Sequence, residues 1–256
     1  MLLENKVAII AGGARGMGGA IAQKFAENGC SIVIADVLDE KGQETAEEIK
    51  KTGKDAIYVH CDVSDGKQVR NMVAQAIDKF KKIDQMVISA GIGSNVTPLE
   101  KLTEEAWDKM LAINCKGTYL CIQAIAPHMQ ENKSGNIIVI VSMAGEVPSP
   151  VNWHYHASKA GQLIVAKGAA ALLARSNIRV NVINPGMILT DMSAVFSGPG
   201  VEDVEAHQSE MARNMVPLAR LGSTDDIANA ALFLASDQSS YITGDSIHVS
   251  GGSGIL

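Results

Sequence analysis

Near its N-terminus the chain reads Val7-Ala8-Ile9-Ile10-Ala11-Gly12-Gly13-Ala14-Arg15-Gly16-Met17-Gly18. The apolar run predicts a buried strand, and the glycines after it predict a tight turn into a helix. Side chains at Gly12, Gly16 and Gly18 would keep a pyrophosphate away from the helix N-terminus. A glycine-rich loop is often only a tight turn, but a strand before it and a helix after it are typical of a dinucleotide-binding βαβ unit.

Strands and helices alternate from this turn to the C-terminus. Gly29 is predicted to end the first helix, and further strands are expected at residues 31–35, 56–63, 86–89, 137–141, 178–182 and 246–249. Helices are expected between them, at residues 39–52, 64–82, 103–130, around Tyr155 and at residues 224–235, with Ser64 or Asp65 and Thr103 as caps. This alternation implies βαβ units. The sequence therefore predicts an α/β fold with a doubly wound, mostly parallel, Rossmann-like sheet, as a single domain over residues 1–256.

The composition narrows the classes of protein. Over 256 residues, 22 Lys and Arg against 28 Asp and Glu give a net charge of −6, spread along the chain, which argues against nucleic-acid binding. No apolar run approaches the roughly 18 residues that span a bilayer, and the chain enters a strand too early for a signal peptide. The four cysteines, Cys30, Cys61, Cys115 and Cys121, lack the spacing of a disulfide framework or a metal site. We therefore expect a cytoplasmic protein with reduced thiols, no membrane partner and no metal.

A second stretch, from Ser142 to Lys159, carries candidate chemistry. Tyr155 and Lys159 stand four residues apart, so a helix places them on one face. An ammonium near a phenol is expected to lower the pKa of the tyrosine from about 10, making Tyr155 a proton donor or acceptor near neutral pH. Ser142 follows the apolar residues 137–141 and would face this pair from the end of a strand. Taken alone, the Tyr155 and Lys159 pair is weak evidence for catalysis, because most such pairs are surface neighbours on a helix.

Acidic residues follow the second and third strands. Asp36 comes about 20 residues after the glycine loop, the expected place for a carboxylate that accepts hydrogen bonds from an adenosine ribose. Because Asp36 would repel a 2′-phosphate, NAD is favoured over NADP, although Arg15 in the loop offers a guanidinium to such a phosphate. Asp62 is a candidate acceptor for the adenine amino group, and a turn or helix-cap residue is the competing interpretation.

With these residues in place, the chain resembles the short-chain dehydrogenase/reductase family over nearly its whole length. The thirteen-residue interval between Ser142 and Tyr155 is similar to the spacing of that family. The resemblance depends on the following motifs: Gly12-x3-Gly16-x-Gly18, Asp62-Val63, Ala90-Gly91, Asn114, Ser142, Tyr155-x3-Lys159, Pro185-Gly186 and Thr190.

The resemblance implies a role for each matching position. Tyr155 would be the general acid/base, Ser142 would orient the substrate oxygen, and Lys159 would bind the nicotinamide ribose. Asn114 would hold the water that links Lys159 to solvent, and residues 185–190 would grip the nicotinamide carboxamide. The implied cofactor set is Gly12, Arg15, Gly16, Met17, Gly18, Asp36, Asp62, Val63, Ala90, Gly91, Tyr155, Lys159, Pro185, Gly186, Ile188 and Thr190.

Three positions depart from the pattern of the family. Ile88-Ser89 stands where an Asn-Asn pair is usual, Ala11 replaces a threonine before the glycine loop, and Ser250 replaces an aspartate before Gly251-Gly252. Ile88 cannot make the hydrogen bonds of an asparagine side chain. None of the three touches the proton-transfer set, so we expect lower stability or weaker cofactor binding rather than lost chemistry.

Substrate contacts are predicted on either side of the Tyr155 helix. Glu146 and Trp153 lie between the catalytic strand and helix, where the competing interpretation is a plain connecting loop. Met192 belongs to an irregular insertion at residues 191–214, predicted to be a lid over the substrate. His154 and His156 flank Tyr155, but on a helix they point about 200° apart, which argues against a metal site and favours a partly exposed surface position.

These observations predict an NAD(H)-dependent oxidoreductase that interconverts a small-molecule secondary alcohol and a ketone. The alternatives are an NADP(H)-dependent ketone or 3-oxoacyl reductase, and a non-catalytic cofactor-binding sensor or scaffold. Small residues such as Gly161, Gly168 and Ala171 follow Lys159, and the resemblance implies a homotetramer that assembles through this helix.

Overall fold

Seven parallel strands form a single sheet in the computed structural model, which describes residues 1–190 and 203–254. The strands are β1 Val7–Ala11, β2 Ser31–Asp36, β3 Ala56–His60, β4 Gln85–Ile88, β5 Gly135–Ile140, β6 Ile178–Pro185 and β7 Ser246–Val249. Their order is β3-β2-β1-β4-β5-β6-β7. The doubly wound α/β prediction is therefore confirmed, and in the described ranges every pairing is parallel.

Helices cover both faces of the sheet. In the described residues they are α1 Gly16–Glu27, α2 Asp39–Lys50, α3 Gly66–Phe80, α4 Glu104–Met110, α5 Gly117–Asn132, α6 Trp153–Leu173, α7 Val204–Met215 and α8 Thr224–Ala235. Buried residues of α3, α5 and α6 pack on one face, and buried residues of α1, α2 and α8 pack on the other. The strands are apolar on both sides because neither face meets water.

The strand order reverses between β1 and β4. From β1 the chain proceeds outward through β2 to β3, and then returns to place β4 on the other side of β1. The loops that leave the carboxyl ends of β1 and β4 therefore diverge and open a crevice between them. Ligands bind at this position in open parallel sheets.

Local signals explain where several helices begin and end. The Thr103 hydroxyl accepts a hydrogen bond from the amide of Ala106 at 3.2 Å, and the Asp65 carboxylate accepts one from the amide of Lys67 at 2.7 Å, which confirms two predicted caps. Gly29 follows α1 with φ +100°, a conformation that favours glycine, so the predicted helix end is also confirmed.

Two boundaries differ from the predictions. The third strand ends at His60 rather than at residue 63, because Asp62 turns the chain by accepting the Ser64 amide at 2.8 Å. The helix predicted at residues 103–130 is divided by a π-helical segment, Leu111–Lys116.

Two findings bear on the remaining predictions. Within residues 1–190 and 203–254, no helix is long and apolar enough to cross a membrane. The predicted lid lies partly outside the described residues; its residues 203–214 contribute to α7, and it stays a prediction.

Candidate active site

A cleft of about 440 Å³ opens at the carboxyl ends of β1 and β4. Most of the predicted cofactor residues line it, namely Gly12, Arg15, Gly16, Met17, Gly18, Asp36, Asp62, Val63, Ala90, Gly91 and Thr190. The structure therefore gathers residues from the carboxyl ends of β1 to β4, from the segment after β6 and from the start of α1 around one cavity. Its place at the strand-order reversal is where a dinucleotide would bind.

The glycine loop shapes the floor of this cleft. A Cβ on Gly12, whose φ is +78°, would overlap the backbone of Ala90, and a Cβ on Gly18 would overlap the carbonyl oxygen of Gly12. Gly16 is different, because no heavy atom of the protein lies within 4 Å of a Cβ built there. That open space faces the cleft at the first residue of α1, where a pyrophosphate meets free backbone amides. The loop therefore fits the dinucleotide that the sequence implies.

Asp36 stands at the end of β2 beside the loop. One carboxylate oxygen accepts the amide of Ala14 at 3.0 Å, and the other accepts the amides of Val37 at 2.8 Å and Leu38 at 3.2 Å. These bonds hold the carboxylate at the rim of the cleft and connect it to the glycine loop. The other acidic candidate, Asp62, accepts hydrogen bonds from both the amide and the hydroxyl of Ser64 at 2.8 Å, so it stabilises a turn. Asp62 also lines the cleft, so a contact with the cofactor stays a prediction.

Ser142, Tyr155 and Lys159 meet beside β5. Ser142 follows this strand and accepts the amide of Ala144 at 3.1 Å, while its hydroxyl is hydrogen-bonded to the hydroxyl of Tyr155. The Lys159 ammonium lies 5.8 Å from the centroid of the Tyr155 ring and 3.5 Å from the carbonyl oxygen of Ile140. Both α6 side chains are buried. The predicted catalytic group is thus assembled in one place.

Burial dominates the protonation of this pair. Burial raises the pKa of the Tyr155 phenol, and the hydrogen bond with Ser142 opposes that rise. Burial also lowers the pKa of Lys159 to about 7. The predicted net fall in the pKa of Tyr155 is therefore wrong, because loss of water around the phenol is the largest effect. At neutral pH Tyr155 carries its proton and is a potential general acid.

Asn114 projects from the π-helical segment into the protein and is fully buried. Its side-chain oxygen accepts the amide of Ile92 at 2.8 Å, and its side-chain nitrogen donates to the carbonyl of Ile92 at 3.0 Å. A Cβ on Gly91 would lie 3.1 Å from the Asn114 oxygen and 3.6 Å from the Lys159 ammonium. The Asn114 oxygen and the Lys159 ammonium therefore both lie beside Gly91, on the side to which a side chain there would point, at the inner end of the cleft.

The predicted carboxamide-binding segment is only partly at the cleft. Thr190 lines the cleft, whereas Ile188 lines a separate cavity of about 280 Å³ near Gly222. Gly186 follows Pro185 at the end of β6, and a Cβ there would lie 2.8 Å from the Cα of Ser250. Gly186 is thus required for close packing of β6 against the end of β7.

The three substrate predictions have separate outcomes. Glu146 bridges two strands, because its carboxylate accepts from the Asn184 amide group at 2.7 Å and contacts the His248 ring nitrogen at 2.7 Å. Trp153 is exposed at the start of α6, about 200° around the helix from Tyr155. Met192 lies outside the described residues. The substrate role of these three residues therefore stays a prediction.

The histidines that flank Tyr155 differ from each other. His154 is buried, which makes its predicted surface position wrong, and burial lowers its pKa. His156 contacts the carbonyl oxygen of Val147 through its Nδ1 at 2.8 Å. In the described part of the chain no three His, Cys, Asp or Glu side chains are grouped as metal ligands. The described cysteines, Cys30, Cys61, Cys115 and Cys121, are all free thiols.

Several cleft residues were absent from the predicted set. Lys109 and Ile113 line the cleft from α4 and the π-helical segment, and Ile92 lines it just beyond Ala90-Gly91. The four-residue spacing of Lys109 and Ile113 beside Asn114 is a signal that could have found two of them. The unusual Ile88 is buried in the core, and the amide of Ser89 donates to the carbonyl of Ala11 at 2.8 Å. Strand β4 thus stays attached to β1 without an asparagine.

Comparison with known proteins identifies relatives along nearly the whole chain. A family model described as enoyl-(acyl carrier protein) reductase matches residues 12–254. The 3-oxoacyl-[acyl-carrier-protein] reductase FabG of Staphylococcus aureus (strain Mu50) is 37% identical over 249 residues, 97% of this chain and 98% of the relative. The (2S)-[(R)-hydroxy(phenyl)methyl]succinyl-CoA dehydrogenase subunit BbsD of Thauera aromatica is 37% identical over 257 residues, 98% of each chain.

Solved structures show the same similarity. A 7α-hydroxysteroid dehydrogenase, complexed with NADH and 7-oxo glycochenodeoxycholic acid, superposes with a TM-score of 0.90 at 34% identity, covering 98% of this chain and 95% of the other. A levodione reductase superposes with a TM-score of 0.92 at 29% identity, covering 98% of both chains. The names of these relatives refer to chemically different molecules, so the similarity does not indicate one substrate.

Proposed function

Because the chain belongs to the short-chain dehydrogenase/reductase family, we propose that it interconverts a secondary alcohol and a ketone with NAD(H) as its cofactor. As a member of that family it is a nicotinamide-dinucleotide oxidoreductase acting on CH–OH and C=O groups. The observation that carries the proposal is the hydrogen bond between the buried Tyr155 hydroxyl and Ser142, with Lys159 one helical turn away.

The protein side of the reaction is proton transfer. Ser142 and Tyr155 would both hydrogen-bond the substrate oxygen, which fixes the position of the carbonyl. The protonated phenol of Tyr155 would give its proton to that oxygen during reduction, and the phenolate would take it back during oxidation. A protonated Lys159 would stabilise the phenolate of Tyr155, because the two groups share one buried face of α6. Bound NAD(H) supplies or accepts the hydride.

The raised pKa of Tyr155 gives the two directions of the reaction opposite pH dependences. A phenol that stays protonated at neutral pH is ready to act as an acid. Oxidation requires the phenolate, which a charged Lys159 favours, but burial lowers the pKa of that ammonium to about 7. We therefore expect ketone reduction to be fastest at and below neutral pH and alcohol oxidation to require higher pH.

NAD is the proposed cofactor because of Asp36. Three backbone amides hold its carboxylate at the rim of the cleft, so the negative charge cannot turn away from a ligand there. A ribose hydroxyl would donate to this carboxylate, whereas a 2′-phosphate would be repelled by it. The similar 7α-hydroxysteroid dehydrogenase was crystallised with NADH, which agrees with this choice.

A second candidate is reduction of 3-oxoacyl thioesters. The 37% identity to FabG over nearly the full length of both chains favours this class. Such a substrate also contains a ketone, so the same proton transfer from Tyr155 would apply. The two candidates differ in the rest of the substrate: a 3-oxoacyl thioester is attached to a long carrier, whereas the ketone of the first candidate belongs to a compact molecule.

The test is a substrate panel with a matched variant. Purified protein is mixed with NADH or NADPH and with steroid, polyol-derived, small and 3-oxoacyl thioester ketones, and loss of absorbance at the nicotinamide band is followed. We expect NADH oxidation with at least one ketone and a fall of about 10³-fold in Tyr155→Phe, which removes only the proton donor. NADH binding without turnover across the whole panel would instead support a cofactor-binding sensor or scaffold.

We also propose that the chain self-associates through the outward face of α6. Ile164 and Leu172 are 67% and 74% exposed, and Gly168 and Ala171 add small exposed positions that allow a second helix to approach closely. The occupant proposed for this face is a second copy of the chain. Light scattering after gel filtration should give a mass above one subunit, and Ile164→Asp should reduce it; a monomeric natural chain would contradict the proposal.

A further inference from the structure

A chain of buried polar side chains leads away from the active site towards the middle of α6. Four side chains form it, and each is at most 1% exposed to solvent: Gln162, Thr118, Asn114 and Ser158. Only Asn114 belongs to the predicted catalytic set, and none of the other three lines the cofactor cleft. Buried polar groups are expected to be fully hydrogen-bonded, so the partners of these four show what the cluster does.

In each hydrogen bond of this cluster, the donor lies on the side of Gln162 and the acceptor on the side of Tyr155. The side-chain nitrogen of Gln162 donates to the Thr118 hydroxyl at 2.7 Å, and that hydroxyl donates to the backbone carbonyl of Asn114 at 2.9 Å. The side-chain nitrogen of Asn114 then donates to the Ser158 hydroxyl at 3.0 Å, which donates to the backbone carbonyl of Tyr155 at 2.8 Å. Each hydroxyl accepts one bond and donates one, and at Asn114 the chain passes from the backbone carbonyl to the side-chain nitrogen of the same residue.

This chain crosses between elements three times. It starts on α6, passes to α5 at Thr118 and to the π-helical segment at Asn114, and returns to α6 at Ser158. Asn114 also holds both backbone groups of Ile92, which lines the cleft. Asn114 therefore contacts the cleft wall at Ile92 by bonds separate from its bond to Ser158.

Gln162 is not explained by stability. Its side-chain oxygen is buried and meets no hydrogen-bond donor among the described residues. An unpaired buried acceptor destabilises a protein, whereas a leucine of similar size would fill the same space without that cost. The nitrogen of Gln162, by contrast, makes the short bond that begins the chain. A buried side chain that leaves its acceptor unpaired while its donor orients a neighbour of the active site points to a functional role.

We propose that Gln162 and Thr118 are positioning residues that hold Asn114 in place. Through the bond from Asn114 to Ser158, they also set the distance between the Tyr155 hydroxyl and the substrate oxygen. The inference rests on the proposed function, since it assigns the two residues to the same proton transfer. They act through hydrogen bonds alone and touch neither cofactor nor substrate. Removing either bond should therefore lower the rate of the chemical step and leave cofactor binding intact.

Three variants test this proposal. Thr118→Val keeps the shape and removes the hydroxyl, Thr118→Ser keeps the hydroxyl, and Gln162→Leu removes the donor. We expect kcat to fall on the order of tenfold in Thr118→Val and Gln162→Leu, with the Kd of NADH unchanged within about twofold. Thr118→Ser should retain the natural kcat. Gln162→Leu should unfold at the same temperature as the natural chain or higher, which a purely structural role does not allow.

A double variant shows whether the two residues act as one unit. If they do, Thr118→Val with Gln162→Leu should be no slower than either single variant, because the second change breaks a chain that is already broken. Natural kcat in both single variants, losses that multiply in the double variant, or an equal loss in Thr118→Ser would each overturn the proposal.

Hydrogen–deuterium exchange separates this inference from the proposed function. If the natural chain reduces no ketone, the proposed function fails, and exchange at residues 153–161 still tests the positioning. Faster exchange of this segment in Thr118→Val and Gln162→Leu than in Thr118→Ser would support the proposal. Equal exchange in all three variants would overturn it.

Discussion

The two ends of the cleft are built in different ways. At the inner end, Asn114 and Ser158 are joined by side-chain bonds between positions 44 residues apart, and all of the groups involved are buried. At the outer end, the Asp36 carboxylate accepts from the backbone amides of Ala14, Val37 and Leu38, and the last two have exposed side chains. The inner end therefore depends on the packing of several helices, whereas the outer end depends on one side chain and one loop. We expect the first to set the rate and the second to set the choice of cofactor.

The largest effect is expected at the inner end, from Lys159→Met. Activity should fall about 10²-fold or more, because the phenolate of Tyr155 loses its neighbouring charge. Stability should rise by about 1 kcal/mol or more at neutral pH, since a buried ammonium is removed, which corresponds to roughly 2–4 °C in the unfolding midpoint. Parallel kinetic and calorimetric measurements check the opposite signs.

The pH dependence of that stability follows from the pKa of Lys159. Burial lowers it to about 7 from the model-compound value of 10.5, so between those values the unfolded chain binds a proton that the folded chain has released. Unfolding free energy from this group therefore rises between pH 7 and 10.5, and the rise is absent in Lys159→Met. Lys51→Met, at an exposed position after α2, is the control and should show the same rise in unfolding free energy as the natural chain. Identical pH profiles for the natural chain and Lys159→Met would refute the burial argument.

A smaller and different effect is expected at the outer end, from Asp36→Ala. The ratio of kcat/KM for NADH over NADPH should fall by about tenfold, because the charge that repels a 2′-phosphate is gone. Saturating kcat with NADH should change little. Asp39→Ala is the matched control, since the carboxylate of Asp39 contacts Tyr58 and His60 rather than the glycine loop. An unaltered ratio in Asp36→Ala would remove Asp36 as the selector.

The smallest effect is expected between the two ends, from Glu146→Gln. This residue attaches the loop after β5 to Asn184 and His248, and its side chain is partly exposed, so the change should lower stability by about 1 kcal/mol or less. The KM for the ketone should change by no more than about threefold. A loss of kcat as large as that of Lys159→Met would show that Glu146 belongs to the reacting group. Thermal unfolding and steady-state kinetics decide this.

The same contrast explains what the sequence could predict. The glycine loop, Asp36 and the Ser142, Tyr155 and Lys159 group were predicted because each depends on local spacing that a strand or helix fixes. Strand-helix alternation fixed the sheet for the same reason. The cleft lining followed, since it consists largely of residues at the ends of predicted strands.

The remaining features depend on tertiary packing. The π-helical segment places Asn114 in contact with Ser158, and the bonds of Glu146 to Asn184 and His248 join positions 38 and 102 residues apart. The raised pKa of Tyr155 depends on how completely the phenol is buried. Trp153 was predicted to face the substrate from its place in the chain, but its direction is fixed by the rotation of α6. No local pattern contains these quantities.

The central claim is that Tyr155 gives the proton while a bound nicotinamide gives the hydride. It is tested most directly by a single turnover with NADH deuterated at the transferring position and a ketone identified in the substrate panel, followed by mass analysis of the alcohol. The natural chain should place one deuterium on the carbinol carbon, while Tyr155→Phe should bind the cofactor equally well and form about 10³-fold less labelled alcohol in the same time. Equal labelling by both proteins would contradict the account.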